Sequence, residues 1–162
     1  MSSTVALTYG IAKPEDVSAV TGREMLQAMI EGKLPAPPIA QTLGFRLVEV
    51  GDGQYVFEGD TGPHLLNPLG GVHGGWALTL IDSAMLPAGV GYATVETKAN
   101  FTRPIKHDTG RVRAEGRVVG RGRQIISAEA RVLDSSGRIL SHGTSTLMVF
   151  GNGAAGKQAN SS

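Results

Sequence analysis

Asn67-Pro68-Leu69-Gly70-Gly71-Val72-His73-Gly74-Gly75-Trp76-Ala77-Leu78-Thr79-Leu80-Ile81-Asp82-Ser83-Ala84 is the stretch on which the fold turns. Its first half is a glycine-rich loop. From Gly74 to about Leu86 it reads as a helix, closed by Pro87 and Gly89. Trp76, Ala77, Leu78, Leu80, Ile81, Ala84 and Met85 place apolar groups on nearly every side of it, which predicts a helix buried all round rather than an amphipathic one. Upstream, Phe45, Leu47 and Val48, then Tyr55, Val56 and Phe57, flank Gly51-Asp52-Gly53 as a two-strand hairpin would. Downstream, residues 92–101, 111–121, 123–133 and 139–150 are rich in Val, Ile, Thr and Arg and are broken by turn residues; they predict an antiparallel meander. Farther out, Val17, Val20, Met25, Leu26, Met29 and Ile30 recur at helical spacing, so residues 14–33 read as one helix that Pro35, Pro37 and Pro38 end. Two strands, one enclosed helix and four more strands amount to an α+β layer, a curved antiparallel sheet wrapped around one long central helix.

At this point the sequence resembles a family. Asn67, then His73-Gly74-Gly75 beginning six residues on, then Asp82 nine residues after the His, is similar to the signature of the hotdog-fold acyl-CoA thioesterases of the phenylacetate-pathway (PaaI-like) type. Glu96 to Pro104 also resembles the strand that follows the central helix in that family. The resemblance covers about residues 40–150. It leaves residues 1–39 as an N-terminal helical extension and 151–162 as a small, polar tail expected to be disordered. It implies hydrolysis of an acyl-CoA to the free acid and coenzyme A without metal or redox cofactor. It also implies active sites between the subunits of a homodimer, with dimers paired into tetramers in some members.

The residues carry a reading of their own. The first backbone N–H groups of a helix lack helical acceptors, so the Gly74 N–H is placed to hold a thioester carbonyl and the oxyanion formed on it, with Gly75 allowing close approach; the plainer use of such a glycine pair is tight packing. Asp82 is a carboxylate amid apolar helix, costly to bury without a partner or a task, and should line a cleft. By resemblance it is general base or nucleophile, and the sequence does not choose. Asn67 would orient water or the carbonyl, or simply make the Asn-Pro turn. His73 would border the site. Thr94 matches, by its distance from Pro104, a Ser or Thr near the reacting end, though threonine is also simply a good strand former. Eight residues separate Gly74 from Asp82, and at ~1.5 Å rise per residue that is ~12 Å, too far for both to act on one carbonyl. A site built from both therefore needs two chains with antiparallel central helices.

Charge is uneven. Residues 1–97 hold 4 basic and 10 acidic side chains, and residues 98–131 hold 9 basic and 3 acidic ones, a local +6. That suits the phosphates of coenzyme A, with Arg121-Gly122-Arg123 at a strand turn and Arg103 as candidate ligands; the plainer reading is a solvated strand face balanced by acids elsewhere. Nucleic acid is disfavoured because only 5% of the chain is Phe, Trp or Tyr. Absence of cysteine excludes a disulfide scaffold, a thiol nucleophile and cysteine-held metal clusters. The four histidines lack metal-ligand spacing, so no metal site is expected, and no Gly-x-Ser-x-Gly elbow occurs. Gly151 to Lys157 mimics a phosphate loop, but Gln158 stands where Ser or Thr is needed. With 162 residues, no apolar run of membrane length and no basic, apolar leader, the expectation is one cytoplasmic domain without a membrane partner. The acyl group reads as aryl or medium-chain, and the alternative function is a non-catalytic acyl-CoA-binding or regulatory domain.

Overall fold

The computed structural model describes residues 5–152. Three short helices come first: α1 (Pro14–Val17), α2 (Gly22–Ile30) and α3 (Pro38–Leu43). The single helix expected over 14–33 is therefore two. Thr21 starts α2 as a capping box, its hydroxyl accepting from the Glu24 N–H (3.2 Å) while the Glu24 carboxylate accepts from the Thr21 N–H (2.7 Å). Extended backbone at Thr21 is the condition for that cap, and it breaks the run. The prolines expected only to end a helix also begin one, since Pro38 opens α3 at a position where no N–H is needed.

The hairpin is present as β1 (Phe45–Val50) and β2 (Gln54–Asp60), and α4 (Gly74–Ala84) follows the glycine-rich loop. Then come β3 (Val90–Phe101), β4 (Arg111–Arg121), β5 (Ile125–Leu133) and β6 (Ile139–Asn152), within two residues of their expected limits. All strand pairs are antiparallel in the order β1-β2-β4-β5-β6-β3, so the last four strands are not a simple meander. β2 pairs with β4 along its whole length, Gln54 with Arg117 through Asp60 with Arg111, which closes the place beside β4 and sends β3 to the edge beyond β6. Of the expected tail, Gly151 and Asn152 continue β6; residues 153–162, with most of the phosphate-loop mimic, lie outside the described residues.

The sheet curls around α4, which buries Trp76, Ala77, Leu80, Ile81 and Ala84 against it. The helix sits so close that a Cβ at Gly116 on β4 would lie 1.9 Å from the Ala84 carbonyl oxygen, so only glycine fits there. The Trp76 indole N–H donates to the Leu43 carbonyl (2.8 Å), tying α4 to the end of α3. Enclosure is incomplete, contrary to the all-round burial expected. Gly75 and Asp82 are exposed and Leu78, Thr79 and Ser83 half-buried, so one face of α4 stands open beside the edge strand β3. Apolar residues at that helix surface do not imply burial within one chain, because they serve equally to meet a second one. Among the described residues no helix is long and apolar enough to cross a membrane.

Candidate active site

The loop before α4 is built by its own side chains. Asn67 Oδ1 accepts from the N–H groups of Leu69 (2.9 Å) and Gly71 (3.2 Å), and the Asn67 carbonyl accepts from Gly70 N–H (3.0 Å). Gly70 has φ +82°, which a side chain would strain. Two donors on Oδ1 fix the amide orientation and leave the Asn67 NH2 group without an acceptor among the described residues. Asn67 is thus both turn-maker and free donor. His73 caps α4: its Nδ1 accepts from the Gly75 N–H at 2.9 Å, so Nδ1 is unprotonated and the neutral ring carries its proton on Nε2. The cap needs glycine next to it, since a Cβ at Gly75 would lie 3.0 Å from that nitrogen. The N–H of Gly74 has no acceptor among the described residues, and a Cβ there would meet the Phe101 ring at 3.2 Å. The second half of the Gly-Gly pair preserves the cap and the first leaves an unpaired N–H at a helix N-terminus.

Asp82 lies two helical turns on, on the open face of α4. It is exposed rather than buried in the single protomer, so the cleft expected around it is one-sided. Thr97 Oγ1 donates to its Oδ1 at 2.8 Å and Thr94 Oγ1 to the same oxygen at 3.4 Å, leaving Oδ2 without a partner among the described residues. Three positions apart, these threonines would face opposite sides of a regular strand. The register of β3 against β6 slips between Thr94 and Glu96, leaving Val95 as an extra residue, and this bulge turns both hydroxyls toward Asp82. Thr94, the residue matched from the sequence, is the more distant of the two; Thr97, which that reading missed, holds the carboxylate. A bulge leaves no mark in residue spacing. Thr97 Oγ1 is also 3.0 Å from Ser145 Oγ, whose single proton goes either to Thr97 or to the Glu96 carbonyl at 2.9 Å, so β6 supplies a polar neighbour to the threonine that holds the carboxylate. Tyr92, 38% exposed, lies on the same stretch of β3. Burial first, then the negative charge of Asp82 and the neighbouring Tyr55, push its phenol above the ordinary value, so it stays protonated at neutral pH.

Four of the nine basic side chains in residues 98–131 are paired among the described residues. Arg111 makes two hydrogen bonds to Asp60 (2.9 and 3.1 Å); Arg113 reaches Glu49 (2.7 Å) and Glu115 (3.0 Å); Arg117 reaches Glu129 (2.6 Å) and Arg131 Glu115 (3.0 Å). For these four the solvated, balanced strand face is what the structure contains. Arg103, Arg121 and Arg123 have no carboxylate within 4.0 Å among the described residues. Gly122 donates its N–H to the Ile125 carbonyl (2.8 Å) in the β4–β5 turn and keeps no free donor there. Arg121 lines a cleft of about 420 Å3 with Arg23 of α2, Asp52 and Ala88. Arg23 is a cation that sequence reading passed over, since no spacing connects it to residue 121. The cleft lies just past the C-terminal end of α4, whereas Arg103 follows Phe101, which packs at the N-terminal end. Within one protomer the candidate phosphate ligands thus sit at opposite ends of the central helix, as Gly74 and Asp82 do.

The Thioesterase superfamily model matches residues 69–141. Among solved structures, a phenylacetic acid degradation-related protein of Ralstonia eutropha JMP134 is 26% identical, with TM-score 0.66 over 76% of this chain and 98% of that one. A conserved protein of Pseudomonas aeruginosa is 28% identical, with TM-score 0.63 over 70% and 94%. The PaaI protein from the phenylacetic acid degradation operon of E. coli is 20% identical, with TM-score 0.65 over 70% and 85%, a likeness of fold. No curated protein matches the chain significantly. The matched segment runs from the loop that Asn67 organises, through α4, to β6; with the wrapped six-strand sheet and these neighbours it gives the chain a hotdog fold, similar to that of PaaI-like proteins of the thioesterase superfamily.

Proposed function

We propose that the protein hydrolyses an aryl- or medium-chain acyl-CoA to free acid and coenzyme A at two equivalent sites shared across a homodimer. The observation that carries this is Asp82: a carboxylate on an open helix face, one oxygen held by Thr97 and the other free. Its own chain's unpaired Gly74 N–H lies ~12 Å away along the helix. A two-fold axis that sets the open α4 faces antiparallel brings one chain's Asp82 to the other's Gly74. The same operation brings one chain's Arg121 and Arg23 to the end where the other's Arg103 lies. Leu69 (95% exposed), Val95 (61%) and Phe101 (54%) are apolar residues that such an interface would cover, and β3 offers it an unpaired strand edge.

In this arrangement the thioester carbonyl oxygen accepts from Gly74 N–H, which strengthens its hold as negative charge develops there. Asp82 Oδ2 takes a proton from the attacking water, the C–S bond breaks and that proton passes to the leaving thiolate. In the alternative course Oδ2 attacks the carbonyl carbon and the thiolate leaves; water then cleaves the acyl anhydride, which frees the acid, regenerates the Asp82 carboxylate and supplies the thiolate's proton. Thr97, donating to Oδ1, fixes which carboxylate oxygen faces the substrate. The basic cleft holds the phosphates, and His73 keeps the helix start in shape without entering the chemistry. A panel of aryl-, short- and medium-chain acyl-CoAs, followed by release of free thiol, tests the reading. Turnover that falls ~10²-fold or more in Asp82→Asn supports it; tight acyl-CoA binding without thiol release by the wild-type protein would make this a binding domain instead.

A further inference from the structure

The N-terminal segment borders a half-open cavity that the proposed thioester site does not use. About 330 Å3 lies between residues 7–12, α2 and the β1–β2 edge, at the lower end of the ~300–1,000 Å3 typical of small-molecule pockets. Its walls are almost wholly apolar: Met25 and Met29 from α2, Phe57 from β2, Leu86 after α4, and Ile11 from the N-terminal strap. The strap is held by two backbone hydrogen bonds, Gly10 N–H to the Ala36 carbonyl (2.9 Å) and Ala36 N–H to the Thr8 carbonyl (2.8 Å). Ala12, Ala36 and Ala40 also line the space, where longer side chains would fill it as close packing ordinarily does. The two thioethers are unbranched and adapt to a flexible occupant.

One wall residue is charged. Arg46 lines the cavity, and among the described residues its only acid within 4.0 Å is Glu58, at 3.9 Å. Glu58 is shared with Arg111 (3.8 Å) and Arg113 (3.7 Å). Charge-assisted pairs close to ~2.7–2.9 Å, so the Arg46 guanidinium retains unengaged donors at the rim of an apolar chamber. We infer that this chamber is a second binding site, for a medium-length aliphatic carboxylate whose chain lies among the methionines and whose head group pairs with Arg46. The ligand class is that of a free fatty acid rather than a CoA ester, because a thioester has no carboxylate for the Arg46 guanidinium to pair with. The chamber is built by the N-terminal segment and would bind its ligand whether or not the protein is a thioesterase.

Methionine methyl groups report on it directly. In protein carrying 13C-methyl methionine, titration with decanoate should move the Met25 and Met29 resonances saturably while Met148, exposed on β6, stays in place. Arg46→Gln should weaken decanoate about ten-fold, the size of one lost charge-assisted hydrogen bond, and leave decanol binding unchanged. Ala12→Phe, which fills the space from the strap, should abolish the shifts. The site is refuted if Met25 and Met29 do not move, or if they move equally in Arg46→Gln. It is refuted also if decanoyl-CoA added to the inactive Asp82→Asn protein moves them as decanoate does, since the chamber would then belong to the substrate. None of these outcomes depends on turnover.

Discussion

Thr97 and Thr94 compete for the same oxygen of Asp82, and their distances, 2.8 and 3.4 Å, decide between them. Only the shorter is a full hydrogen bond to a carboxylate, so Thr97→Val should lower kcat by roughly ten-fold with KM little changed, while Thr94→Val should stay within about two-fold of wild type. Steady-state thiol release for both variants checks this; equal losses would show that the bulge at Val95 does not rank the two. Asp82, Gly74 and Asn67 are legible in the sequence because each is chemically out of place where it stands: a carboxylate amid apolar helix, a glycine pair at a helix start, an amide before a proline. Thr97 is not, since threonine is an ordinary strand residue and the one-residue slip that redirects it is a property of pairing with β6. His73 is legible as a border residue but not as a cap, because capping depends on the ring turning back onto Gly75.

Among the elements, the strands follow from their composition, and the hairpin from Gly51-Asp52-Gly53. The place of β3 does not follow, since strand order is set by β2 closing on β4. The break before α2 is written in Thr21 and Glu24, a capping box three residues apart, but the apolar spacing of Val17, Val20 and Met25 runs across it. The β5–β6 turn carries its own pH signature. Asp134 accepts from the Ser136 hydroxyl (2.7 Å), the N–H groups of Arg138 (3.0 Å) and Ser136 (2.9 Å), and the Arg138 guanidinium (2.8 Å). These bonds, the Ser136 hydroxyl foremost, hold its carboxyl well below the usual carboxylate range. A depressed folded-state value stabilises the fold above the unfolded-state value of about 4, and the contribution is lost as pH falls below it. Asp134→Asn should therefore lower the Tm at pH 7, and the gap between variant and wild type should narrow by pH 3. A gap that is constant with pH would mean that the turn depends on shape and not on charge.

At the scale of the whole molecule, the open face of α4 and the division of candidate ligands between its two ends point the same way. Arg121→Ala and Arg23→Ala should each raise KM for acyl-CoA more than they lower kcat, because in the proposed site they meet the nucleotide handle and not the reacting carbon; unchanged KM would move the nucleotide elsewhere. The proposal of a site shared by two chains comes from arithmetic on helix rise, whereas the one-sided exposure of α4 is hidden by residues that look core-like all round. The most direct measurement mixes two inactive parents. Gly74→Pro removes the N–H at a position where proline is tolerated and where His73, at φ −62° and ψ 132°, already has the backbone a following proline requires. Asp82→Ala removes the carboxylate. Each parent must first be shown by size and circular dichroism to be a folded dimer. After exchange of equal amounts, half the molecules should be heterodimers with one doubly defective and one intact site, restoring about a quarter of wild-type activity per total site. Heterodimer that forms and stays inactive would contradict a site shared between Gly74 of one chain and Asp82 of the other.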